Sequence, residues 1–129
     1  MQKIETVVSE SSNGFSLKGT VMALDNGDVI VVVTGGRDHI GAVGLAVPRP
    51  SRLDSNNISA TSSVLTMLGH KEDVLVKDIS EKLAAATGRN VVVIAGVHYD
   101  DLSGVDLKLL HELWRELTDK IATFINQDH

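Results

Sequence analysis

Residues 29 to 33 read Val-Ile-Val-Val-Val, an unbroken run of β-branched apolar side chains. A strand sends alternate side chains to opposite faces, so this run is apolar on both. It is therefore expected in the centre of a sheet, covered on both sides. Its surroundings also read as strands. Phe15, Leu17, Val21 and Ala23 alternate with Ser16, Lys18 and Thr20, the period-2 pattern of a half-buried strand. Asn26-Gly27 between these two stretches is a hairpin signal, because both residues tolerate positive φ. An earlier strand is expected over about residues 3 to 10, joined through Ser11-Ser12-Asn13-Gly14. A fourth is expected over about 40 to 47, ended by Pro48 and Pro50. Residues 48 to 60 read as a long irregular segment, a kind of loop that commonly carries function. Thr61 to Leu68 reads as a fifth strand, stopped by Gly69.

The second half changes period. Leu75, Ile79 and Leu83 lie four apart, and Gly88 suits a helix C-terminus. Val91 to Ala95 is a second buried apolar strand. Ser103 and Asp106 form a capping box with Asp in place of the usual Glu. Leu107, Leu110, Trp114, Leu117, Ile121 and Phe124 then step by 3, 4, 3, 4 and 3, one apolar stripe on a long helix. The order βββββαβα implies an α+β two-layer sandwich, a mixed and largely antiparallel sheet with two helices packed on it. At 129 residues the chain is expected to be one domain, 1–129. Leu109 and Leu113 widen the stripe on the last helix, and sheet edges need cover, so a homo-oligomer, a homodimer first of all, is expected.

Composition narrows the function. The net charge is −5 and aromatic residues are 3% of the chain, which argues against nucleic-acid binding and an anionic membrane surface. Cysteine is absent, so thiol nucleophiles, disulfides and thiolate metal sites are excluded. There is no apolar run of about 18 residues and no signal-peptide pattern at the start, so a soluble, cytoplasmic protein is expected. Walker A, dinucleotide-fingerprint, HExxH and GxSxG patterns are all missing.

Gly35-Gly36-Arg37-Asp38-His39-Ile40-Gly41 is the most informative stretch, since its glycines permit an unusual turn that presents three polar residues. The alternative is a plain hairpin loop with solvated charges. Ala42, Gly44 and Ala46 give the next strand one face of small side chains. That face serves either a tightly packed helix or a flat ligand ring. Arg37, Arg49 and Arg52 are three of the five arginines and fall within 16 residues, close to Ser59, Thr61, Ser62 and Ser63. Guanidinium groups beside neutral hydroxyls suit phosphate or carboxylate, although a solvated loop gives the same pattern. His39, His70 and His98 each fall at a strand end, where imidazoles can form a metal site or an acid-base cluster if the fold gathers them. Asp100 and Asp101 follow, a weak candidate dyad, while His111 and His129 read as helix surface and terminal tail.

GGRDHIGAVGLAVPRPS (35 to 51), SATSSVLTMLGHKED (59 to 73) and VVVIAGVHYDD (91 to 101) resemble the prenylated flavin chaperone LpdD-like family. The resemblance runs over nearly the whole chain. It implies a small accessory protein, not itself an enzyme, that holds prenylated FMN (or FMN) and assists its maturation or delivery. The implied partners are a UbiD-type decarboxylase and the UbiX-type prenyltransferase that makes the cofactor. Carried over by residue, the match points to His39, Arg49, Ser51, Thr61 to Ser63, His70, Lys71 and His98. By their chemistry, Arg49, Arg52, Lys71 and the Ser/Thr run suit the phosphate, with Arg49 between two prolines the expected anchor, and Arg37 is expected among the cofactor-binding residues. His39 or His98 suits the polar edge of the ring, and the Ala42-Gly44-Ala46 face would floor it. The competing reading is a small metal- or histidine-dependent enzyme, a hydrolase or acid-base catalyst, built on His39, His70 and His98.

Overall fold

The computed structural model describes residues 3–10, 14–37, 39–54, 56–67 and 72–127, with the side chains of the first strand left aside except Ser9. Three strands open the chain as an antiparallel meander: β1 (Lys3–Glu10), β2 (Ser16–Ala23) and β3 (Val29–Gly36). The Asn26-Gly27 turn forms where expected. Leu24 N–H bonds the Asp28 carbonyl at 2.8 Å, Gly27 N–H bonds the Leu24 carbonyl at 3.0 Å, and the Asn26 amide bonds the Asp28 carboxylate at 2.9 Å.

β4 (Ala42–Pro50) and β5 (Ile58–Thr66) form a second antiparallel pair. Pro48 and Pro50 do not end β4; they lie in its last turns of pleat, opposite Ala60 and Ile58. Ser51 N–H reaches across to Asn57, so the alternation puts Pro50 and Pro48 with their missing N–H groups on the other side. Among the described residues no strand pairs with β4 on that side beyond Ala46, so no ladder bond is lost. The segment read as an irregular loop is thus mostly hairpin, with its tip between Pro50 and Ile58.

Then follow α1 (Glu72–Thr87), β6 (Val91–His98) and α2 (Gly104–Asn126), giving the expected βββββαβα order and an α+β fold. The sheet order is β1-β2-β3-β6-β4-β5. β6 enters between the two antiparallel units, parallel to β3 and antiparallel to β4. The helix ends follow the sequence signals. Gly88 N–H bonds the Ala84 carbonyl at 2.9 Å, and the Ser103–Asp106 box closes in both directions at 3.0 and 3.1 Å.

Both helices lie on one face of the sheet. Beneath them Leu17, Val21, Val29, Val31, Val33, Val91 and Val93 are essentially inaccessible, as are Leu75, Ile79, Leu83, Leu117 and Ile121 above. Full burial of each such side chain contributes about 1.5–3 kcal/mol before entropy is counted. The small face of β4 belongs to this layer. A Cβ on Gly44 would stand 3.0 Å from the Val76 carbonyl oxygen and 3.2 Å from the Ser80 hydroxyl. That face therefore seats α1, and it is not a floor for a ring. Trp114 Nε1 donates to Asp78 at 2.8 Å and joins α2 to α1. Leu113 is buried and Leu109 half-buried, so the widened stripe of α2 turns inward and is not a free face for a partner.

Among the described residues no helix covers the opposite face of the sheet. Val32, Leu45, Val47 and Leu65 are exposed there. The Val29–Val33 run, expected under cover on both sides, is covered on one.

Candidate functional site

The site forms where β3 and β6 end side by side. Arg37 and residues 39 to 41 lie over the end of β6: Arg37 N–H bonds the His98 carbonyl at 3.3 Å and Gly41 N–H bonds the Ala95 carbonyl at 2.8 Å. Gly96 makes this approach possible, and Gly41 leaves room for the Glu72 carboxylate. A Cβ on Gly96 would overlap the His39 backbone, and a Cβ on Gly41 would overlap the Glu72 carboxylate.

The approach sets two imidazole–carboxylate pairs next to each other. His39 Nδ1 lies 2.9 Å from the Arg37 carbonyl and Nε2 lies 2.9 Å from Glu72 Oε1. His98 Nε2 lies 2.9 Å from Asp100 Oδ1, and Arg37 donates to both Asp100 oxygens at 3.1 and 3.2 Å. The His39 and His98 ring centroids are 6.2 Å apart. A carbonyl only accepts, so His39 Nδ1 donates to Arg37, and the charged imidazole donates from Nε2 to Glu72 Oε1 as well. The Arg37 carbonyl, helped by Glu72, raises the His39 pKa above its ordinary value of 6.5. The His98 hydrogen bond and then the Arg37 charge hold the Asp100 carboxyl below its ordinary value.

Glu72 opens α1, and a carboxylate there is favoured by the helix dipole. Its side chain is only 6% exposed. Oε1 meets His39, but Oε2 is buried with no hydrogen-bond partner among the described residues. An acceptor in that state costs about 1–3 kcal/mol unless something donates to it. Glu72 lines a cavity of about 560 Å³ between α1, α2 and the end of β6. Leu17, Leu75, Val97, Leu107, Leu110 and Trp114 make its walls apolar, and His98, Tyr99 and His111 add polar atoms. Tyr99 is fixed in place: its hydroxyl accepts from Ser16 N–H at 3.0 Å and donates to the Ser16 carbonyl at 2.7 Å, with Phe15 edge-on at 4.9 Å. His111, read from sequence as surface, is exposed, and its ring lies tilted against Trp114 with centroids 3.8 Å apart.

The residues singled out from sequence divide between two places. Arg37, His39 and His98 come together here. Arg49 lies seven residues further along β4 from Ala42, roughly 23 Å at strand rise. There its Nε donates to Thr61 Oγ1 at 2.7 Å and its Nη1 to the Pro50 carbonyl at 3.1 Å. Ser51 accepts from Leu53 N–H at 3.2 Å and Arg52 is exposed, both in the hairpin tip. Ser62 faces α1 and donates to Glu81 at 3.2 Å, whereas Ser63 opposes Leu45 on the open face. His70 and Lys71 lie outside the described residues. Among the described residues no three His, Cys, Asp or Glu side chains are grouped to hold a metal ion. Glu72 and Trp114 were not legible as site residues: an acid in a first helical turn and an aromatic in a core stripe are both ordinary.

Among the described residues no helix is long and apolar enough to cross a membrane. No curated protein matches the chain. Among solved structures, the chain is similar to one from a chaperone complex for yeast 20S proteasome assembly, with 13% identity, coverage of 97% of this chain and 98% of that chain, and a TM-score of 0.62. At that identity the likeness is one of fold. The model of the prenylated flavin chaperone LpdD-like domain matches residues 11–126, and the chain belongs to that family.

Proposed function

We propose that this chaperone binds prenylated FMN in the cavity between α1 and α2 and carries it to a UbiD-type decarboxylase. The observation that supports this reading is a largely apolar cavity with Glu72 in its wall, whose buried Oε2 has no hydrogen-bond donor among the described residues. Ligand cavities of about 300–1,000 Å³ pair apolar walls with a few placed polar groups. A flavin matches both features, because its rings are flat and apolar while its pyrimidine edge carries an imide N–H. Glu72 would accept from that N–H, and Leu75, Leu110 and Trp114 would enclose the rings. Arg37, tied through Asp100 to the His98 ring in the wall, would turn to the phosphate. When bound, the cofactor supplies the decarboxylation chemistry, which belongs to the partner enzyme; this chain orients the cofactor and excludes water from it.

Titration with prenylated FMN, followed by flavin absorbance and fluorescence, tests the reading. The wild type is expected to bind one equivalent. Leu107→Trp narrows the cavity from a half-buried wall position and should abolish binding while circular dichroism stays unchanged. Glu72→Leu should weaken binding about 10- to 100-fold, the value of a hydrogen bond to a charged group, and Glu72→Gln, which keeps an acceptor oxygen, should recover part of it. Arg37→Ala should weaken the phosphorylated cofactor, with unphosphorylated riboflavin unaffected, and Arg49→Ala should leave both within twofold. Unchanged affinity in Leu107→Trp removes the cavity as the site, and phosphate dependence that follows Arg49 moves the ligand to the other end of β4.

A further inference from the structure

The uncovered face of the sheet is not an ordinary solvent face. Two rows of paired residues cross it. One runs Thr20, Val32, Ile94, Val43, Leu65, and the next runs Met22, Ile30, Val92, Leu45, Ser63. Their six central members, Ile30, Val32, Val92, Ile94, Val43 and Leu45, are all aliphatic. Val32 is 37% exposed, Leu45 44%, and Val47 beside them 47%. Hydroxyls and charges stand at the margins: Lys18, Thr20 and Thr34 on one side, Ser59, Thr61, Ser63 and Arg49 on the other. An apolar centre with a polar rim is how protein interfaces are arranged.

From this face we infer that the chain is a homodimer whose two sheets pack face to face, open side to open side. Its size fits. Two full rows across five strands at about 4.8 Å spacing and about 6.7 Å per row, with Val47 and Thr61 beginning a third, cover on the order of 400 Å². Two copies would bury about 800 Å² as flat area, and the relief of the side chains brings this to about 1,000 Å², the threshold for a specific interface. The chemistry selects a second copy. The centre has no charge for a differently charged partner to read, and a neutral aliphatic patch is complementary to itself under a two-fold axis. Pleated faces of this kind stack about 10 Å apart with interlocking side chains. The dimer also explains the Val29–Val33 run, which is apolar on both faces although its own helices cover one. This inference does not depend on the flavin reading, since the cavity lies on the helix side of the sheet.

Sedimentation equilibrium at micromolar concentration should give twice the chain mass of 13.8 kDa. Leu45→Lys places like charges near each other across the axis and should weaken association by about 100-fold or more, shifting the mass to that of one chain. Val47→Lys should do the same and guards against a folding defect in the first variant. Val105→Lys, on exposed α2 surface, should stay dimeric. A wild type with the mass of one chain overturns the inference, as does a dimer that survives both sheet substitutions or that Val105→Lys breaks.

Discussion

His39 sits between a carbonyl and a carboxylate, both of which accept, and this makes the folded state prefer its charged form. A pKa raised on folding adds stability that is fully present below 6.5 and is lost as pH rises through the raised value. Asp100 works in the other direction. Its lowered pKa adds stability above the ordinary 3.8 that disappears as pH falls through the lowered value. Together they favour the fold most between those two ordinary values. Urea unfolding of the wild type and His39→Asn should therefore differ more at a pH one unit below 6.5 than at alkaline pH. Equal differences at both would mean that His39 acts by packing alone. Gly44 makes a second residue-scale case. Gly44→Val should cost about 1–3 kcal/mol through overpacking against Val76 and Ser80. It should lower the melting temperature and leave flavin affinity within twofold, since the small face meets a helix and not a ring. Sequence made Arg37, His39 and His98 visible because turns and strand ends expose polar side chains. Glu72 stayed hidden, because what distinguishes it is burial beside His39, which only the fold creates.

At the scale of elements, local chemistry was decisive wherever a signal acts within a few residues. Asn26-Gly27 closes its hairpin and Gly88 ends α1, and the 3-4 stripe from Leu107 faces the core. The Ser103–Asp106 box belongs to the same class, and it starts the helix that carries Leu107, Leu110 and Trp114 to the cavity. Ser103→Ala should cost about 1 kcal/mol. Adding Asp106→Ala should cost less than the sum of the single changes, because each side chain caps the other's backbone; denaturant unfolding of the three variants measures the coupling. Pro48 and Pro50 show the limit of local reasoning. Proline breaks a strand only if its missing N–H was needed, and that depends on a neighbour β4 lacks beyond Ala46 among the described residues.

The strand order of the whole molecule was not legible, because nothing local to Val91–Ala95 says that it pairs with β3 on one side and β4 on the other. The same holds for the cover of the sheet. Apolar side chains on both faces of Val29–Val33 announce that both will be buried, and not by what. The position of β6 has a consequence for how the chain comes to be folded. Synthesis delivers β1–β3 and β4–β5 first, each able to pair locally, yet they have no edge in common until residues 91 to 98 leave the ribosome. Until then β3 and β4 both present unpaired edges, the exposure that invites pairing with other chains. β6 is the strand that joins the halves, and its pairings with β3 and β4 connect residues 45 to 62 positions apart. Such non-local closure is slow compared with hairpin formation. Because Arg37, His39 and Gly41 rest on His98, Gly96 and Ala95, a half-assembled chain has no such cavity either. The cavity needs the completed sheet and then α2 packed upon it, so a ligand that selects the cavity also selects against chains whose folding has stalled.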